Sequence, residues 1–94
     1  MKEKILVFNT YKELNYWFEH IINCFCKSSN NPNYIKVDRC LKIITVGDQR
    51  WYFSINDKIE DIERGRRDCK IFYNMANKLE ENYEKALLIV AEEE

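Results

Sequence analysis

The chain has 94 residues, 46% apolar and 14% aromatic, with fifteen basic side chains against sixteen acidic ones and a formal net charge of −1. That length is one small domain, 1–94, built on one core, and a composition so rich in apolar and aromatic groups excludes a disordered chain. The near-neutral balance excludes attraction to nucleic acid or to a membrane through overall charge, so only a local patch can supply it.

Eighteen consecutive apolar residues occur nowhere, and Met1-Lys2-Glu3-Lys4 runs straight into a strand-like segment without a leader pattern. A cytoplasmic protein that does not engage the membrane is expected. The four cysteines, Cys24, Cys26, Cys40 and Cys69, then read as reduced thiols packed as small apolar groups. His20 and Cys24 stand four apart on a predicted helix and could chelate a metal with Cys26 or another cysteine. Structural zinc takes paired C-x(2–4)-C knuckles, which one C-x-C and two lone cysteines do not supply, so neither a metal nor a cofactor is expected.

In chain order, Ile5, Leu6, Val7 and Phe8 form an unbroken apolar run within 4–9, the pattern of a strand buried on both faces. Thr10-Tyr11-Lys12-Glu13 fits a capping box and predicts a helix start. Leu14, Trp17, Phe18, Ile21, Ile22 and Phe25 follow at i, i+3, i+4, i+7, i+8 and i+11, a single stripe to lie against a sheet. A polar loop over 27–33 that contains Pro32 ends this helix. From Ile35 to Val46 the pattern is β, with Ile35, Val37, Leu41 and Ile43 on one parity and Lys36, Asp38, Cys40 and Lys42 on the other. Gly47 supplies a hairpin turn within 46–50, and the chain returns with Trp51, Phe53 and Ile55 toward the core and Arg50, Tyr52 and Ser54 facing the other way.

Asp57-Lys58-Ile59-Glu60 repeats the capping pattern and predicts a short helix closed by Gly65. Two readings stay open beyond Asp68. Phe72, Met75, Ala76, Leu79 and Tyr83 have the spacing of one long helix. Alternatively, 69–73 is a strand, 75–84 a helix and Ala86-Leu87-Leu88-Ile89-Val90-Ala91 a last buried strand. The uninterrupted apolar run at the end favours the second. The expected fold is therefore α/β: a single small domain with a central sheet of about five strands, one hairpin included, packed by two or three helices. The expected order is β-α-β-β-α-β-α-β, with Glu92-Glu93-Glu94 as a solvated tail.

With that order, and with Arg64-Gly65-Arg66-Arg67-Asp68, the chain resembles the RecA-like ATPase core of phage large terminase subunits and related helicases. In that family an Arg-Gly-Arg-x-Asp-like loop leads into a strand ending in an Asp-Glu pair that holds magnesium and activates water. The resemblance implies that Cys69 to Tyr73 is this strand and Ala86 to Ala91 the next one of the sheet. The departures from the family are chemical. A phosphate-binding loop needs G-x-x-x-x-G-K-[ST], and the only glycines are Gly47 and Gly65. Asn74-Met75 stands where the acidic pair belongs, and neither a thioether nor an amide replaces a magnesium-binding base. ATP hydrolysis by this chain alone is not expected.

Three functional classes follow. The first is a small non-catalytic interaction protein of the phage or mobile-element type, which binds and modulates a nucleic-acid-processing or defence enzyme; an anti-CRISPR-like inhibitor is one concrete member. The second is a nucleic-acid-binding module using the basic loop Arg64 to Lys70. The third is an enzyme with an unrecognised site. A protein partner is expected, nucleic acid is the alternative partner, and a homo-oligomer is left open. Arginine and tyrosine are enriched at interface hot spots, so Arg50, Tyr52, Arg64, Arg66 and Arg67 are the predicted partner-binding residues.

Overall fold

The computed structural model describes residues 2–28, 35–58 and 69–92, of which 25–28 are described in their backbone alone. Strand β1 (Lys2–Phe8) carries the first apolar run and is buried on both faces from Lys4 onward. Helix α1 (Tyr11–Ser28) begins where the Thr10 hydroxyl accepts the Glu13 amide at 3.2 Å, which satisfies one of the unpaired donors at the helix end. Its inward stripe is Leu14, Trp17, Phe18, Ile21 and Ile22, all buried. Full burial of an aliphatic or aromatic side chain of this size stabilises by about 1.5–3 kcal/mol, so the stripe fixes α1 on the sheet.

Strands β2 (Ile35–Asp38), β3 (Ile43–Val46) and β4 (Gln49–Ile55) form an antiparallel meander, a 3₁₀ turn occupies Asn56–Lys58, and β5 (Lys70–Phe72) follows. Helices α2 (Met75–Glu81) and α3 (Tyr83–Glu92) complete the described chain. The sheet order is β2-β3-β4-β1-β5, with β1 parallel to both of its neighbours. The fold is thus α/β, a small domain in which the described residues form five mixed strands and three helices. The helices share one face of the sheet, where Leu6, Phe8, Ile44, Trp51, Phe53 and Phe72 meet α1, α2 and α3 in one core. On the opposite face a row crosses four strands, Ile43 to Tyr52 to Ile5 to Ile71. That face is not wet as the alternation in β4 suggests, because Tyr52 and Ser54 are both buried.

The segment from Ile35 to Val46 is two strands and not one. Asp38 Oδ1 accepts the amides of Cys40 and Leu41, both at 3.0 Å, and Lys42 takes a left-handed φ of 57°, so a second tight turn forms ahead of the one at Gly47. The turn breaks the parity: Leu41 is 68% exposed, and Ile44 instead of Ile43 enters the helix-side core. Arg39 seats the turn on α1 through two contacts to the Glu19 carboxylate, 3.0 and 3.3 Å, and its guanidinium holds that carboxyl below the usual range. Lys42 Nζ lies 5.0 Å from the centre of the Phe18 ring.

The two readings beyond Asp68 resolve in favour of a strand followed by a helix, β5 then α2. The expected strand Ala86 to Ala91 is a helix, α3. Ala86 and Val90, four apart, turn into the core with Leu87 and Ala91 against it, while Leu88 and Ile89 turn outward. The punctuation is Asn82, whose extended backbone ends α2 and whose side-chain oxygen accepts the Lys85 amide at 3.1 Å, capping α3. Among the described residues the sheet still has five strands, because the β segment at 35–46 divides. The helix expected at 57–64 is a 3₁₀ turn up to Lys58, and its remainder lies outside the described residues.

Candidate functional site

Of the predicted contact residues, β4 brings Arg50 and Tyr52 together. They stand on the same face, and Arg50 Nη1 donates to the Tyr52 hydroxyl at 3.4 Å. Tyr52 is only 5% exposed and packs with Ile5 and Val7, so its ring belongs to the second core and not to a contact surface. Arg64, Arg66 and Arg67 lie outside the described residues. At the position of the acidic pair in the resembled family, Asn74 is exposed in the left-handed region and Met75 is fully buried in the core.

A cluster the sequence reading did not assemble lies where α1 meets the start of α3. Tyr16 and His20, four apart on α1, stack with ring centres 5.9 Å apart and planes 14° from parallel. Trp17 meets the edges of both, at 5.0 Å from Tyr16 and 5.5 Å from His20. Tyr83 joins from α3, stacked on Trp17 at 6.1 Å and edge-on to His20 at 5.1 Å. Aromatic pairs of this kind contribute about 0.5–1.5 kcal/mol each beyond their buried area, so the four rings hold one another in place. Tyr16 is nevertheless 60% exposed and His20 is exposed, which leaves two fixed rings presented to solvent. The spacing of Tyr16, His20 and Cys24 was a readable signal for one helix face. Tyr83 was not readable, because its place follows from 83–92 being helical.

The Tyr83 hydroxyl is buried without a nitrogen or oxygen partner among the described residues. Burial, and then the Cys24 thiol beside it, push its pKa well above the ordinary tyrosine range. Cys24, Cys40 and Cys69 are not joined in disulfides. Among the described residues no three of His, Cys, Asp and Glu converge as a metal-holding group, and the Cys26 side chain lies outside the description.

From Tyr83 a groove of about 370 Å³ runs between the β3–β4 hairpin and α3, floored by Trp51, Leu87 and Ala91 and edged by Asp48 and Glu84. Gln49 fixes its wall. It accepts the Trp51 indole N–H at 2.9 Å and donates to the Ala91 carbonyl at 2.8 Å. A second groove of about 340 Å³ lies on the other flank of α3, toward α2, edged by Lys78, Glu81 and Lys85. No described helix is long and apolar enough to cross a membrane. Comparison with family models, with curated proteins and with solved structures finds no match. The described residues define a small five-stranded α/β domain with an aromatic corner opening into an acid-edged apolar groove.

Proposed function

We propose that this chain is a small non-catalytic interaction protein that captures a protein partner at the Tyr16–His20–Tyr83 corner and in the groove beside it. The observation that carries the reading is the exposure of Tyr16 and His20 as rings already locked by stacking. Tyrosine anchors fixed before binding lose little conformational entropy when a partner arrives, which is why such groups dominate interface energetics. The partner's chemistry follows from the groove. An apolar floor between Asp48 and Glu84 suits a segment with an aromatic or aliphatic anchor flanked by lysine or arginine. That the partner is a nucleic-acid-processing or defence enzyme, in a phage or mobile-element setting, rests on the family resemblance alone.

The test is selection of peptides from a random display library on the immobilised chain. Enriched sequences should pair a large apolar residue with nearby basic ones, and they should bind less well as salt rises. They should also lose affinity at least tenfold against a folded variant carrying Tyr16→Ala and Glu84→Lys. Equal enrichment on wild type and variant would overturn the assignment of the site.

A further inference from the structure

Helix α3 has a second face, turned away from the aromatic corner. Its inward positions, Ala86 and Val90 with Leu87 and Ala91 beside them, are taken up by the core. Opposite them run Lys85, Leu88, Ile89 and Glu92 at i, i+3, i+4 and i+7, all exposed, with Leu88 55% and Ile89 48% accessible. The two grooves flank this ridge, so apolar walls stand on both of its sides.

The charges on the ridge are informative. Lys85 precedes Leu88 by three positions and Glu92 follows Ile89 by three, so opposite charges sit at equal distances from the apolar centre. For α3 itself both are on the wrong end, since a helix favours an anion in its first turn and a cation in its last. A partner helix running antiparallel reverses that balance, because its negative end lies against Lys85 and its positive end against Glu92. A helix with the same sequence completes the match at both ends at once. Such self-complementarity is the signature of an interface about a twofold axis, in which residue i meets j and j meets i. We propose that the α3 ridge binds a second copy of this chain, with the two α3 helices antiparallel. Leu88 then meets Ile89 of the second copy, and Lys85 meets its Glu92. Parallel pairing is rejected by the same residues, since it sets lysine against lysine and glutamate against glutamate.

The contact is one helix face in extent, smaller than an obligate interface, so the dimer is expected to dissociate at micromolar or higher concentration. The test is sedimentation velocity on the intact chain over about 10 µM to 1 mM, a range that brackets such an affinity. Wild type should pass from monomer to dimer, and Leu88→Asp should remain monomeric. Lys85→Glu alone and Glu92→Lys alone should each weaken self-association at least tenfold, because each places like charges opposite one another. The first variant has two acidic ridge ends and the second two basic ones, so a mixture of the two should form a heterodimer at least as tight as the wild-type pair. All three substitutions are on the surface, and circular dichroism verifies folding. If Leu88→Asp does not fold, the charge variants and their mixture still decide. A wild-type monomer throughout the range overturns the proposal. So does a dimer indifferent to charge reversal, or a mixture that fails to pair.

Discussion

The Lys4 ammonium donates to the carbonyl of Val90, 86 positions away in sequence, and to that of Ala91 at 3.1 Å, closing the end of α3 from within β1. Lys4 is 1% exposed and stands on the helix side of the sheet, in the same row as Trp51 and Ile44. A buried cation is tolerated there because the last carbonyls of a helix lack intrahelical partners and carry its negative end. Gln49 shares the load at Ala91.

Replacing that lysine tests how far α3 depends on it. Lys4→Ala should cost about 2–4 kcal/mol, the loss of a buried charge-assisted pair plus packing along its stem, with Lys4→Met costing less because the volume is kept. Urea denaturation reads the stability. Amide exchange should quicken first in the last turn of α3, and a midpoint unchanged by Lys4→Ala would remove the lysine from the account.

Trp17 and Tyr16 are neighbours in sequence with opposite expected roles. Trp17 is buried among α1, the sheet and Tyr83, so Trp17→Ala should destabilise by about 3–5 kcal/mol. Tyr16→Ala removes an exposed ring with two ring contacts and should cost about 1–2 kcal/mol, less than Trp17→Ala, while weakening partner capture. Thermal unfolding followed by circular dichroism separates the two, and equal losses would show that Tyr16 is structural.

The pKa of Tyr83 gives a pH signature. A phenol whose pKa is raised in the folded state stabilises the fold in its neutral form. Its contribution is complete below the unfolded value near pH 10 and is lost as pH rises from there toward the folded value. Tyr83→Phe should therefore flatten the alkaline fall in stability above about pH 10 relative to wild type. At neutral pH it should be neutral or stabilising by up to about 1 kcal/mol, since the hydroxyl it removes is buried without a nitrogen or oxygen partner. In an absorbance titration Tyr83 should resist ionisation until unfolding. Parallel alkaline curves for wild type and variant would contradict this.

The arginine-rich sequence 64–67 remains the route to the alternative partner. If it binds nucleic acid, a fluorescent single-stranded or duplex oligonucleotide should associate with a steep salt dependence, and Arg66→Ala with Arg67→Ala should reduce the salt slope by about two. No binding at low salt, or binding unaffected by the double substitution, removes these arginines from consideration.

The parts of the fold legible in the sequence were those with a single dominant period. Leu14 to Ile22 could only be one helix face, and Ile5 to Phe8 could only be a buried strand. Leu87 to Val90 defeated the same reasoning, because a helix with one face on a core and the other on an apolar ridge has no polar interruption to reveal its period. Asn82 carried the missing information as a cap. Asp38 likewise signalled a turn, which the alternation from Ile35 to Ile43 concealed. The candidate site was less legible than the fold: Tyr16 and His20 share a face by spacing, but their meeting with Tyr83 is tertiary. Tyr52 alternated like a surface residue, and burial of the second sheet face is invisible to a period-two pattern.

The position of β1 between β4 and β5 also governs the order of assembly. Its strand is synthesised ahead of both neighbours, and at about 5–20 residues per second it waits for seconds with its backbone edges unsatisfied. Over that interval α1 is the one described element already available to cover Leu6 and Phe8. A nascent chain in which the α1 stripe is weakened would expose Ile5 to Phe8 as an open, apolar, pairing-competent segment, so defects in α1 should appear as aggregation during synthesis before they appear as lost stability of the finished domain.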